Sequence, residues 1–96
     1  MIVTLCGSTR FKEDFERVNR ELTLAGDIIL SPGVFGHAGD TFTEDQKEML
    51  DELHKQKIDM SDAIFVINKG GYIGDSTRSE IAYAKKTGKL ITYLED

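Results

Sequence analysis

The hydrophobic positions of this chain alternate between short apolar runs and longer stretches with helical periodicity. The apolar runs cover residues 2–6, 28–30, 63–67 and 90–94. Each run is rich in branched side chains and stops at a glycine or a polar residue, as buried strands do where they lead into loops. We therefore predict four short β-strands.

The first stretch between strands has the pattern of an amphipathic helix. Its apolar residues recur every three or four positions, the spacing of one helix face; they are Phe11, Phe15, Val18, Leu22 and Ala25. Ser8 or Thr9 can cap the start of this helix, and Gly26 can end it.

Two further helices are predicted downstream. Thr43 and Gln46 match a capping box, in which each side chain accepts a hydrogen bond from the other residue's backbone N–H, and a helix should run from there to about residue 58. The third helix should begin near Ser76 or Thr77, after a glycine-rich loop, and end before the fourth strand.

The resulting order, β-α-β-α-β-α-β, predicts one α/β domain over residues 1–96. Such alternation gives parallel strands joined by right-handed crossovers. The expected fold is a three-layer α-β-α sandwich around a flavodoxin-like or Rossmann-like four-stranded parallel sheet. Ligands of such sheets bind beyond the carboxyl ends of the strands, where the winding direction reverses. The loops after strands 1 and 3 should flank that point.

Composition narrows the possible partners. The net charge of −5 argues against a polymeric nucleic acid but leaves a single nucleotide possible, since one phosphate needs only a few donors. Cys6 is the only cysteine, so no internal disulfide forms, and a reducing compartment, the cytoplasm, is expected. The N-terminal apolar run is too short for a signal peptide or a membrane span, so no membrane association is expected.

The loop after strand 1 is the first candidate ligand site. Gly7 permits close approach to the backbone, Ser8 and Thr9 offer hydroxyls, and Arg10 adds a positive charge. These residues can hold a phosphate or sugar hydroxyls, or they can simply cap a helix beside a surface arginine. Cys6, at the end of the strand, is a further candidate for ligand contact, and it suits the core better than a nucleophile's role.

The loop after strand 3 is richer in candidate ligand contacts, which are Asn68, Gly71, Tyr72, Gly74, Asp75 and Ser76. The glycines remove side-chain bulk, and the tyrosine can stack on a ring. Glu80 follows in the expected first turn of the third helix, where the helix dipole favours an ionised carboxylate. A carboxylate in a cleft can attack a sugar anomeric carbon. Thr77 and Glu80 also match a capping box, which would turn Glu80 back onto the chain.

Three short motifs together resemble a known family, the nucleoside 2-deoxyribosyltransferase superfamily, with 5′-deoxynucleotide N-hydrolases and short bacterial and phage deoxyribosyltransferase-like proteins as the nearer relatives. The motifs are Cys6-Gly7-Ser8 after a strand, Ser61-Asp62 before an apolar strand, and Ser79-Glu80-Ile81-Ala82-Tyr83-Ala84 after a glycine-rich loop. The resemblance implies a flavodoxin-like sheet, usually with a fifth strand, and a homodimer whose sites are completed by a neighbouring subunit. No cofactor is implied.

The resemblance also implies roles for individual residues. Glu80 corresponds to the glutamate that attacks C1′ of a deoxyribose and forms a covalent ester. Gly7 and Ser8, with Arg10 as a further candidate, correspond to the loop that holds the 5′ end of the sugar.

The chain departs from the family pattern at the residue that assists departure of the base. The family has an aspartate about two helical turns before the Ala-Asp of strand 3, and His54 occupies that position here, while Asp59 is out of register. A histidine with an ordinary pKa near 6.5 can protonate a leaving base at neutral pH. His37 can line the cleft or lie in solvent. His37, His54 and Cys6 form no recognisable metal pattern, so no metal is expected.

The function expected from these features is N-glycosidic bond cleavage or deoxyribosyl transfer on a nucleoside or nucleoside 5′-monophosphate. Glu80 would be the nucleophile, and His54, or less favourably Asp59, would help the base leave. Two alternatives stay open: a module that binds a nucleotide or nucleotide-sugar without cleaving it, and a purely structural domain.

Overall fold

A computed structural model describes residues 1–36, 39 and 41–95. Within these residues the fold has four strands and three helices, namely β1 (Ile2–Gly7), α1 (Lys12–Leu24), β2 (Ile28–Leu30), α2 (Glu44–Asp59), β3 (Ala63–Ile67), α3 (Asp75–Lys86) and β4 (Leu90–Tyr93). Two 3-10 turns, Thr9–Phe11 and Lys69–Gly71, follow β1 and β3. The predicted element order is confirmed.

The sheet is parallel throughout, with strand order β2-β1-β3-β4. Val3 of β1 is in register with Ile29 on one side and Ala63 on the other. The chain therefore winds outward in opposite directions from the β1–β3 pair, and the crevice for a ligand lies at the carboxyl ends of these two strands. This arrangement confirms the predicted four-stranded parallel α/β fold.

The two faces of the sheet carry separate cores. Residues of β1 alternate between the faces, because successive side chains of a strand point in opposite directions. Val3 and Leu5 pack with Phe15 and Val18 of α1. On the opposite face, Cys6 belongs to a cluster with residues of α2, β3 and α3, which are Ile58, Ile64, Val66, Ile81 and Ala84. Cys6 therefore faces the two helices that border the crevice.

The side-chain cap predicted for α2 is present, whereas the one predicted for α1 is not. At α2 the capping box is confirmed: the Thr43 hydroxyl accepts from the Gln46 N–H at 3.1 Å, and Gln46 Oε1 accepts from the Thr43 N–H at 3.0 Å. At α1 the predicted cap is wrong: the N-cap is Phe11, which makes no side-chain capping hydrogen bond, and Ser8 instead caps the preceding 3-10 turn by accepting from the Arg10 N–H at 3.4 Å.

The third helix begins one residue earlier than the nearer of the two expected starts. Gly74 is its N-cap, and Asp75 is its first residue. Thr77 is consequently the third helical residue and is buried, while Glu80 is the sixth. The capping-box interpretation of Thr77 and Glu80 is therefore wrong, and Glu80 lies in the second turn rather than the first.

Among the described residues, no helix combines the length and apolar character needed to cross a membrane.

Candidate active site

A cleft of about 910 Å³ opens at the carboxyl ends of β1 and β3. Its walls come from α2, the start of α3 and the loops after β1, β2 and β3. Nine of the residues singled out in the sequence line it, which are Gly7, Ser8, Thr9, His54, Tyr72, Gly74, Asp75, Ser76 and Glu80. The volume lies in the range of small-molecule sites in proteins.

Four other residues singled out in the sequence are not part of this lining. Asn68 is buried and holds the chain after β4, since its Nδ2 donates to the Glu95 carbonyl at 2.9 Å and its Oδ1 accepts from the Glu95 N–H at 2.9 Å. Gly71 lies in a shallow depression on the outer side of α3, beside Arg78 and Lys85. Neither position supports the substrate contact predicted for it. The remaining two, Arg10 and Cys6, adjoin the cleft.

Arg10 stands at the rim of the cleft and is stacked on Tyr72. Its guanidinium lies 4.4 Å from the centre of the tyrosine ring, a cation–π contact, and its Nη2 donates to the Tyr72 hydroxyl at 3.4 Å. The Arg10 Nε also donates to the Ser8 hydroxyl at 3.0 Å. These contacts join the loops after β1 and β3 and leave one face of the tyrosine ring covered by Arg10.

The innermost wall of the cleft brings together three reactive side chains from three elements. Cys6 comes from β1, His54 from α2 and Glu80 from α3. The Cys6 Sγ lies 3.4 Å from the His54 Nε2, and that nitrogen lies 3.5 Å from the Glu80 Oε1. All three side chains are buried, with 0%, 9% and 8% of the respective residues exposed.

Glu80 is the unusual member of this group. Its Oε1 is buried and, among the described residues, accepts no hydrogen bond of good geometry, although the Cys6 thiol is near enough to the carboxyl to oppose the rise of its pKa. The 3.5 Å contact with His54 is close enough for electrostatic interaction but lacks hydrogen-bond geometry. Buried carboxyl oxygens are nearly always hydrogen-bonded, so an exception in a cleft suggests a ligand-facing group.

Burial sets the ionisation of the group. It raises the pKa of Glu80 to about 7, an effect that the adjacent Cys6 thiol opposes and the Asp51 charge reinforces. Burial, with the positive charge of Lys57, lowers the pKa of His54 to about 4. Burial and the neighbouring Glu80 also raise the pKa of the Cys6 thiol.

These shifts change two expectations from the sequence. The helix dipole was expected to keep Glu80 ionised, but Glu80 lies one turn too deep in α3 and its desolvation prevails. His54 was expected to titrate near neutral pH, but it is uncharged there because it is buried. Asp59, the other candidate acid, lies at the far end of α2 and accepts a hydrogen bond from the Tyr83 hydroxyl.

Sequence reasoning missed part of the cleft. The α2 residues Lys47, Leu50, Asp51, Leu53 and Lys57 line it, together with Pro32, Gly33, Val34, Gly36, Thr41, Phe42 and Thr77. The α2 residues carry a usable signal, because four of them lie three, four or seven positions from His54 and so share its helix face. His37, also considered for the cleft, is outside the described residues.

No family model matches this chain, and no curated protein matches it either. The resemblance to nucleoside 2-deoxyribosyltransferases therefore stays a prediction.

Proposed function

We propose that this protein cleaves the N-glycosidic bond of a nucleoside or nucleoside 5′-monophosphate, with Glu80 as the nucleophile. The observation that carries the proposal is the Glu80 Oε1, a buried carboxyl oxygen that lines the cleft and has no hydrogen-bond partner among the described residues. An unpaired buried carboxylate is costly, and such costs are typical of groups held ready for a substrate.

The proposed reaction is a double displacement. The ionised Glu80 oxygen attacks C1′ of the sugar, and the electron pair of the C1′–N bond leaves with the base, which takes up a proton from water in the cleft. The product of this step is a sugar ester of Glu80. Water, or an N–H nitrogen of a second base, then attacks C1′ and loses its proton to solvent, and the Glu80 carboxylate departs. The first outcome is hydrolysis and the second is transfer.

Geometry separates the roles of the residues near Glu80. In retaining glycosidases the nucleophile and the proton donor stand about 5 Å apart, on either side of the bond that breaks. His54 is only 3.5 Å from Glu80 and has a pKa of about 4, so we assign it to orienting the nucleophile. Asp51, one helical turn earlier, also lines the cleft. We propose that it lies next to the leaving base when the substrate is bound.

The β1 loop supplies the opposite end of the proposed substrate site. Ser8 and Thr9 line the cleft close to the Arg10 guanidinium. Hydroxyls beside a fixed positive charge suit a 5′ hydroxyl or a 5′ phosphate. Tyr72, on the same side of the cleft, presents an aromatic surface for the sugar or base.

The first test is base release. Purified protein in the presence of a chelator is incubated with deoxynucleosides and their 5′-monophosphates, with and without a second free base, and the products are separated by chromatography. The parent should release free base, and the Glu80→Gln variant should lose at least about 1000-fold of that rate, as expected for removal of a covalent nucleophile.

Glu52→Gln is the matched control for this test. Glu52 is exposed on α2 and does not line the cleft, so its variant should retain the parent rate. Equal base release by the parent and Glu80→Gln would contradict the proposal.

A second candidate function is a binding module for a nucleotide. It is favoured by the pKa of Glu80, because a value of about 7 leaves much of the carboxyl protonated at neutral pH. A binder would show a rise in melting temperature with a nucleoside monophosphate in both the parent and Glu80→Gln, with no product formed by either.

A further inference from the structure

The cluster of Cys6, His54 and Glu80 has the composition of a transition-metal site. It offers a thiol sulfur, an imidazole nitrogen and a carboxylate oxygen, and one ligand atom from each residue lies within 4.8 Å of the other two. Zn²⁺ takes sulfur, nitrogen and carboxylate ligands. Mg²⁺ and Ca²⁺ prefer oxygen ligands and would be poorly served by the thiol.

Two of the three distances between ligand atoms match a tetrahedral centre, and the third, between Cys6 and Glu80, is within 4.8 Å. Bonds of about 2.0–2.3 Å in a tetrahedron place neighbouring ligand atoms about 3.3–3.6 Å apart. The sulfur–nitrogen distance of 3.4 Å and the nitrogen–oxygen distance of 3.5 Å both fall in this range. The ligands come from β1, α2 and α3, so the packed sheet and helices hold them together without a dedicated loop.

Glu80 supplies an independent reason to expect a ligand here. The residue is only 8% exposed, and its Oε1 is buried without a hydrogen-bond partner among the described residues. A cation bound there would interact with this unpaired oxygen. With Cys6 as thiolate, His54 neutral and Glu80 ionised, two negative charges would balance one Zn²⁺, giving a neutral buried centre.

We propose that Cys6, His54 and Glu80 bind one Zn²⁺ ion at the inner wall of the cleft, with a fourth coordination position that faces the cleft. Binding releases the Cys6 proton, and also the Glu80 proton when that carboxyl is protonated. The ion is coordinated by the Glu80 carboxylate, which is the group that attacks C1′ in the proposed reaction. Zinc therefore inhibits that reaction, and this one consequence rests on the proposed function.

Metal binding can be measured without any substrate. Chelator-treated protein is titrated with Zn²⁺ against a chromophoric chelator, and with Co²⁺ while absorption is recorded. We expect one ion per chain, a sulfur-to-cobalt charge-transfer band in the near ultraviolet, and visible bands of tetrahedral intensity. Cys6→Ser and Glu80→Gln should each weaken zinc binding at least about tenfold, since even loss of outer hydrogen bonds to ligands costs that much.

The variants also separate a true site from a folding defect. Cys6→Ser should abolish the charge-transfer band, while Glu80→Gln should keep it at higher Co²⁺ concentration. Thermal melting in chelator shows whether each variant is folded. Glu52→Gln should bind zinc like the parent. Failure of the parent to bind, or binding that Cys6→Ser and Glu80→Gln leave unchanged in folded protein, would overturn the proposal.

Base release distinguishes the two proposals. Zinc binding with no activity in chelator would leave the metal site standing and the glycosidase function refuted. Activity in chelator that a stoichiometric amount of Zn²⁺ suppresses would support both. Activity that persists with zinc bound at these ligands would overturn the inference that zinc inhibits the reaction.

Discussion

Glu80 combines the features expected of a reactive group with a cost to the folded state. Burial raises its pKa to about 7, so the folded protein resists ionising this carboxyl. Because the pKa of Glu80 is raised, the protonated carboxyl contributes fully to the stability of the fold below pH 4.5. This contribution is lost as the pH rises through about 7. The proposed function and the stability of the fold therefore make opposite demands on this residue.

Replacing Glu80 by Gln should relieve that cost. The amide cannot ionise. The unfolding free energy of the variant, relative to that of the parent, should therefore rise by about 3 kcal/mol as the pH increases from 4.5 to 8. Urea unfolding in chelator across this pH range measures the difference. His54 acts in the opposite direction between its pKa of about 4 and 6.5, so the parent alone should show only a shallow pH dependence there.

Glu52→Gln again provides the comparison, because Glu52 is exposed and its unfolding free energy should track the parent at every pH. A constant difference between Glu80→Gln and the parent, independent of pH, would show that Glu80 is not a desolvated acid.

At the level of elements, the junction between β1 and β3 shapes the floor of the cleft. Gly7 ends β1 with a φ of +153°, and a Cβ built there would lie 2.7 Å from the Ile67 carbonyl oxygen of β3. The sequence suggested that Gly7 allows a ligand to approach. The structure shows a further requirement, because no side chain fits between the two strand ends.

Gly7→Ala should therefore destabilise the fold. Strained backbone and the overlap with Ile67 should together cost at least about 2 kcal/mol of unfolding free energy, measured by urea denaturation. Gly33→Ala is the control, since a Cβ there meets nothing within 4 Å, and its effect should be within about 1 kcal/mol of zero. Equal stability of Gly7→Ala and the parent would refute this account of the junction.

The order of strands and helices was largely predictable from the sequence. The exact start of α3 was not, and it determines where Glu80 lies. The runs at 28–30 and 63–67 match β2 and β3 residue for residue. For β3 the reason is that a buried parallel strand has a continuous apolar pattern. The start of α3 was misplaced by one or two residues, because Gly74 offers no side-chain cap to recognise. Because α3 begins earlier than predicted, Glu80 is a buried residue of the second turn and not a cap in the first turn.

For the whole molecule, the position of the cleft followed from topology, but the side chains that meet in it did not. Alternating strands and helices placed the cleft at the ends of β1 and β3, where it is found. The meeting of Cys6, His54 and Glu80 depends on strand alternation, the phase of α2 and the start of α3 at once. No local pattern in the sequence encodes such a coincidence, so three residues considered separately proved to be one cluster.

In the proposed reaction the Glu80 carboxylate forms a covalent bond to the sugar. The most direct measurement is the intact mass of chelator-treated protein, quenched in acid shortly after mixing with a deoxynucleoside or its 5′-monophosphate, followed by peptide mapping. We predict an added mass equal to the sugar, or sugar phosphate, located on Glu80 and absent from Glu80→Gln. Base release without any adduct, or an adduct on another residue, would contradict the account.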